Sequence, residues 1–118
     1  MSALMIKKGD YTKALVYADK AIDSDSIYFQ AFYTRGMIYF KQKNYMKALD
    51  NLKKCTLIEP KHYNAYYLMA QIFLQKQLYN KALDNFNSVI NLKKDYKEAY
   101  YYRGALFCIS KTIRKFNV

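Results

Sequence analysis

Three glycines and one proline among 118 residues leave few places for tight turns, which argues against an architecture of many short strands and hairpins. The residues that are plentiful instead, alanine, leucine, lysine and tyrosine, favour helices. Histidine is represented by His62 alone and cysteine by Cys55 and Cys108, with no CxxC spacing. Neither a metal site nor a disulfide framework can be written from that set, and both thiols are expected to be reduced. Cys55, among Leu52, Leu57 and Ile58, reads as a small buried hydrophobe. No apolar run approaches the roughly 18 to 20 residues that span a bilayer, and MSALMIKK is too short for a secretory leader. The expectation is a soluble intracellular chain in the cytoplasm. Signatures of catalysis are also missing: there is no GxxxxGK[ST], GxGxxG, GxSxG or HExxH, and His62 has no evident nucleophile to activate. The carboxylates Asp19, Asp23 and Asp25 cluster beside a helix end, where a solvated face explains them better than acid and base chemistry. The reading is a non-enzymatic chain without a cofactor.

What is present is a chain with 53% hydrophobic and 25% charged residues, too apolar to be disordered and long enough for one ordinary domain. Its organisation is periodic. YTKAL begins at Tyr11, YMKALD at Tyr45 and YNKALD at Tyr79, so one phrase is written three times at equal intervals. Laid over each other, residues 29–62 and 63–96 agree at nine of 34 positions: Ala31/Ala65, Tyr33/Tyr67, Ile38/Ile72, Tyr45/Tyr79, Lys47/Lys81, Ala48/Ala82, Leu49/Leu83, Asp50/Asp84 and Asn51/Asn85. Phe32/Tyr66, Gly36/Ala70, Tyr39/Phe73 and Leu52/Phe86 are conservative matches. The units are an incomplete repeat over 1–28, repeats over 29–62 and 63–96, and an incomplete repeat over 97–118, forming a single helical-repeat domain.

Within a unit, Phe32, Gly36 and Tyr39, then Tyr45, Ala48, Leu49, Leu52 and Cys55, recur at spacings of three and four, so each unit contains two helices with one apolar face apiece. Gly9 with Asp10, and Lys43 with Asn44, read as a helix end followed by an N-cap; Pro60 closes a unit. Asp95 with Glu98 reads as a capping box for the last helix, and Leu78 stands where a cap would be expected.

At these residues the chain resembles the tetratricopeptide repeat family, whose unit is a helix pair of this same length with an aromatic, a small residue and an aromatic in its first helix. Phe32/Gly36/Tyr39 followed by Ala48, Leu52, Cys55 and Pro60 carries the resemblance, as does Tyr66/Ala70/Phe73 followed by Ala82, Phe86 and Val89. Lys94 replaces the closing proline and Val89 the usual small residue. Tyr100/Gly104/Phe107 restart the pattern, which is lost from Lys111 onward; the first unit lacks its aromatic helix start, with Ser2 as its small residue. The fold implied is all-α, a right-handed helical-repeat solenoid of antiparallel helix pairs. The resemblance further implies that first helices line a concave surface presenting Gln30, Tyr33, Thr34, Met37 and Lys41, then Asn64, Tyr67, Leu68, Gln71 and Gln75, then Glu98, Tyr101, Tyr102 and Ala105. Tyr33, Tyr67 and Tyr101 would form a ladder along it.

The family's chaperone-tail clamp uses lysine, arginine and asparagine at fixed places. Here those places hold Ala3, Thr34, Asn64 and Leu68, or one unit on, Tyr33, Met37, Leu68, Glu98 and Tyr102, with no cation for a carboxylate. Arg35 and Arg103 lie one residue off that register. The net charge of +11 lies wholly in residues 27–118, spread over outer helices and turns rather than gathered in one run. The expected function is therefore a protein-protein interaction module binding a peptide or protein segment, acidic in character, in its groove and not by a carboxylate clamp. The alternative is a basic module docking on nucleic acid or an anionic surface, against which the scattered lysines argue. Both ends look cut. Ala99, Tyr100, Leu106 and Phe107 are expected to pack inward, leaving Tyr101, Tyr102, Cys108 and Ile109 little polar cover. Either the chain is part of a larger protein or copies self-associate through their terminal helices.

Overall fold

The computed structural model describes residues 11–116, and their regular structure is entirely α-helical. The helices are α1 (Tyr11–Ser24), α2 (Phe29–Lys41), α3 (Tyr45–Ile58), α4 (Tyr63–Gln75), α5 (Tyr79–Leu92) and α6 (Lys97–Phe116). Linkers of three residues join α2 to α3 and α4 to α5, and linkers of four join the others, lengths that allow only antiparallel neighbours. Each helix packs on the next in sequence, and α2 also touches α4. The result is elongated, 53 × 28 × 21 Å, with a radius of gyration of 15.6 Å against about 13 Å for a compact chain of this size. This is a helical-repeat solenoid. No helix among the described residues is long and apolar enough to cross a membrane.

Helix ends follow local chemistry. After α2, Lys43 N donates to Phe40 O at 3.0 Å and Asn44 N to Tyr39 O at 2.9 Å; after α4, Gln77 N donates to Leu74 O and Leu78 N to Phe73 O. These are paired Schellman closures, and they place Lys43 (φ 62°) and Gln77 (φ 60°) in the left-handed region usually taken by glycine. Asn44 caps α3 through its side chain, accepting from Lys47 N at 3.5 Å, whereas Leu78 offers α5 no side-chain cap. His62, which has no evident role in the repeat pattern, caps α4: its Nδ1 accepts from Ala65 N at 3.2 Å. The expected Asp95–Glu98 capping box is not formed. Helix α6 begins at Lys97, with Ala99 N bonded to Tyr96 O, and the Asp95 carboxylate is taken by Lys93 Nζ at 3.1 Å, which holds its pKa below the ordinary carboxylate range. The expected Gly9–Asp10 boundary lies outside the described residues.

The helix pairs close on small residues. Ala48, Ala70 and Ala82 have no exposed surface, and a Cβ added to Gly36 would stand 2.9 Å from Leu52 Cγ and 3.3 Å from Ala48 O. Around these contacts sit Phe32, Leu52, Cys55, Phe73, Phe86 and Val89, all buried. The thiol of Cys55 is pushed up to about 12, chiefly by burial. Lys47 and Lys81, matching letters of the recurring phrase, lay their ammonium groups over Tyr39 and Phe73 at 5.5 and 5.7 Å. Leu57, expected beside Cys55, is instead 85% exposed, because it lies two residues on and so on the opposite side of α3.

Helix α6 breaks the pattern. Ala99 and Leu106 are buried against α5, but Tyr100 and Phe107, expected to pack inward, are 41% and 52% exposed, and nothing lies within 4 Å of a Cβ added at Gly104. The helix that covers the matching residues of α2 and α4 has no counterpart over α6 among the described residues.

The two glycines should answer substitution with opposite signs. Gly36→Ala should cost about 1 to 3 kcal/mol by overpacking against Leu52, whereas Gly104→Ala, free of any neighbour, should stabilise the chain by about 0.5 to 1 kcal/mol through helix propensity. Denaturant melts of both variants check this. For His62, burial lowers the pKa below its ordinary value of 6.5. The unfolded chain therefore takes up the proton first, and stability present above that value is lost as pH falls through it toward the lowered folded-state pKa. His62→Asn, which retains a capping oxygen, should flatten that part of the profile, while His62→Ala should lose about 1 kcal/mol at neutral pH.

Candidate functional site

The candidate groove is built from the first helix of each unit. On α2, Gln30 and Lys41 are exposed while Tyr33, Thr34 and Met37 are half-buried; on α4, Gln75 is exposed while Asn64, Tyr67, Leu68 and Gln71 are half-buried. On α6, Glu98 and Tyr101 are exposed, and Tyr102 and Ala105 half-buried. Between the polar ends Lys41 and Glu98, this set is apolar or neutral.

Ring contacts join parts of this set through residues that the repeat pattern does not single out. Tyr33 packs on His62 with centroids 4.5 Å apart, and Phe29 meets the same imidazole edge-on at 5.7 Å. One repeat later Tyr67 packs on Tyr96 at 5.0 Å and Tyr63 meets it edge-on at 5.8 Å. The same three-ring unit is thus written twice, each time closed by the last linker residue before the next first helix. Tyr96 is fixed further by its hydroxyl, 3.3 Å from Asn64 Oδ1. Beyond it the array turns onto α6 through Tyr102, which lies 6.4 Å from Tyr67, stacks on Phe86 at 5.2 Å with planes 9° apart, and meets Tyr101 at 5.3 Å. Tyr101 itself is 70% exposed, and its ring contact is with Tyr102.

The chemistry of this face is neutral. Burial raises the phenols of Tyr33, Tyr67 and Tyr96, with Cys55 adding to the first, Tyr102, Tyr96 and Glu98 to the second, and Glu98 to the third, so all three remain protonated near pH 7. Arg35 and Arg103 are engaged elsewhere. Arg35 donates from Nε to Asn51 Oδ1 at 2.6 Å and from Nη1 to Asp19 Oδ1 at 2.8 Å, and Arg103 donates to Asn87 Oδ1 at 3.3 Å. Among the described residues no three His, Cys, Asp or Glu side chains are grouped to hold a metal ion. The arrangement offers stiff aromatic surface, scattered amide and hydroxyl tips, and one flanking charge of each sign.

A comparison with curated protein sequences gives no match. Among solved structures the chain is similar to a crystal structure of MamA (23% identity, TM-score 0.79), covering 88% of this chain and 61% of that one, so the present chain spans less than two thirds of that relative. It is similar also to the first TPR of Spaghetti (RPAP3) bound to the HSP90 peptide SRMEEVD, at 18% identity and TM-score 0.86, covering 93% and 87% of the two chains. A third likeness is to the second TPR domain of human RPAP3 in complex with the HSP70 peptide SGPTIEEVD, at 20% identity and TM-score 0.80, covering 89% and 88%. At these identities the likenesses establish the fold. The family described as anaphase-promoting complex, cyclosome, subunit 3 matches residues 7–89, most of the repeat region. With its recurring phrase, its helix pairs and that match taken together, the chain belongs to this family and is a tetratricopeptide-repeat protein.

Proposed function

We propose that the chain is a non-catalytic interaction module that binds a peptide or protein segment along the face of its first helices. The observation that carries this reading is the pair of ring clusters on successive first helices, Tyr33 with His62 in one repeat and Tyr67 with Tyr96, Tyr102 and Tyr101 across the next two. Stiff aromatic side chains with one polar tip give large contact area at small entropic cost, which is why such residues dominate binding energies at interfaces. Half-buried Thr34, Met37, Leu68 and Gln71 beside them provide places for ligand side chains. The repeat domain is divided at 1–28, 29–62, 63–96 and 97–118, and it works in the cytoplasm.

Two neighbours of this fold are bound to acidic peptides, SRMEEVD and SGPTIEEVD, which supports a peptide as the class of ligand. The mode of capture differs, because Arg35 and Arg103 are committed to Asn51, Asp19 and Asn87 and leave the groove set with Lys41 as its cation. A terminal carboxylate would find no bidentate partner there. The ligand is instead an internal helical or extended segment, its acidic character set by the net charge of +11. Docking on nucleic acid is the weaker reading, since the recurrent lysines Lys47 and Lys81 are held over Tyr39 and Phe73 in intramolecular contacts.

Immobilised chain should capture its partner from extract of its own cells, and Tyr67→Ala should weaken that binding by about 1 to 3 kcal/mol with helical content retained. Equal capture by the variant removes the groove reading. Unrelated DNA and RNA should bind weakly at all salt concentrations; tight binding that collapses between low and physiological salt would favour the nucleic-acid reading instead.

A further inference from the structure

The recurring phrase is kept from unit to unit, but the letters in and beside it that face water are not, and two of the differences are apolar. Asn44, which caps α3, matches Leu78 in the next unit, and Asn80 of α5 matches Met46 of α3. Leu78 leaves α5 without a side-chain cap and stands 43% exposed, and Met46 is 72% exposed. Packing explains neither residue, since each unit folds with asparagine at the place where the other is apolar. Both lie at one edge of the molecule. Because α2 and α4 are each antiparallel to α3, linkers 42–44 and 76–78 emerge at the same end of the stack. Lysines that are scattered along the sequence are gathered there by the fold. Residues 37–49 and 71–83, which make this edge, contain Lys41, Lys43, Lys47, Lys76 and Lys81 and no acid. At the opposite edge, residues 23–28, 57–62 and 91–98 hold five acids against four lysines. Lys47 and Lys81 lie over ring faces yet remain exposed, and Lys41, Lys43 and Lys76 are exposed and take no part in the ion pairs of the described residues.

We infer that this edge docks on the surface of an anionic lipid bilayer, with Met46 and Leu78 entering between headgroups and Lys41, Lys43 and Lys76 meeting the lipid anions. Charge complementarity fixes the sign of the surface, because five cations without an acid are drawn to a negative plane and each lysine near it adds to the attraction. The apolar side chains fix its kind. Methionine and leucine beside those cations gain by leaving water for the headgroup boundary, a gain that a phosphate backbone does not offer. Nor do the rings at this edge offer base stacking: Phe40 and Tyr45 pack on each other with centroids 5.9 Å apart, and Tyr79 is half-buried. Two matching linkers at one level, each with an apolar and a basic side chain, suit a continuous flat surface touched at both points. The chain would lie on the bilayer without crossing it, since no helix among the described residues is long and apolar enough to do so. The helices would then stand away from the surface. The edge is separate from the groove and does not depend on that reading.

The test is co-sedimentation of the full chain with vesicles of phosphatidylcholine alone and of phosphatidylcholine with about one third phosphatidylserine, at physiological salt. Binding to the anionic vesicles is expected to be about tenfold or more stronger than to the neutral ones. Lys43→Glu combined with Lys76→Glu should reduce it about tenfold or more, and Met46→Asn combined with Leu78→Asn severalfold. The second double variant gives each unit the asparagine that the other already holds, and Leu78→Asn supplies the cap that α5 lacks. Its melting temperature should therefore be unchanged or higher while its vesicle binding falls, a combination that damage to the fold cannot produce. Absence of binding to anionic vesicles, or equal binding to both vesicle types, overturns the assignment. So does undiminished binding by the Met46→Asn, Leu78→Asn variant, which would leave only a general attraction to polyanions. Tighter binding to polyuridylate RNA or to polyglutamate than to vesicles of matched charge also overturns it, and would put nucleic acid or an acidic polypeptide at this edge.

Discussion

The close approach of paired helices at Gly36, with Ala48 and Leu52 across from it, is the constraint on which the rest of the molecule depends. With a Cβ and no relief the pair would have to separate, and the aromatic residues at either side, Phe32 and Tyr39, would lose the depth that buries them. The next pair meets the same demand with Ala70 and Ala82, both without exposed surface. Two pairs so spaced then face each other through α3 and α4, and the ring units at the linkers become possible. In an array of this kind, stability is close to a sum over neighbouring contacts, so a fault at one crossing is felt locally and at its two neighbours.

Polar chemistry fixes the order in which helices stack. Asn51, the buried polar residue of the described core, is bonded through both amide atoms: Oδ1 accepts from Arg35 and Nδ2 donates to Lys47 O at 2.8 Å. Because Arg35 also reaches Asp19, one guanidinium ties α1, α2 and α3 together. The ion pair itself contributes little, since Asp19 is half exposed, but the hydrogen bond to a buried amide is costly to leave unmade. The next unit has Met69 at the arginine position, buried, and Asn85 retains the bond to Lys81 O alone. Alternate interfaces are thus tied by polar contacts and by apolar packing, which gives the array distinct and non-interchangeable joints.

Much of this was legible in the amino-acid pattern because it repeats within one unit: the aromatic–small–aromatic first helix, the alanines opposite it, the Asn44 cap. What was missed spans nearly the whole length of a unit. The contacts Tyr33–His62 and Tyr67–Tyr96 both run from a first helix to the linker that closes its unit, an interval that no helix periodicity or internal alignment exposes, and histidine and tyrosine at the same place do not look alike as letters. Asp95 misled for a local reason. An acid three residues before Glu98 looks like a capping box, but Lys93 competes for the same carboxylate within the linker. Tyr100 and Phe107 misled for a global one, since their inward packing was inferred from units that possess a second helix.

That last difference separates the inner helices of the array from α6. Along the first helices, Tyr33 and Tyr67 are already packed on neighbouring rings, so a ligand in the proposed groove would lose little entropy in ordering them. At the end of the array, α6 has α5 on one side, and half of its pattern-forming residues remain in water.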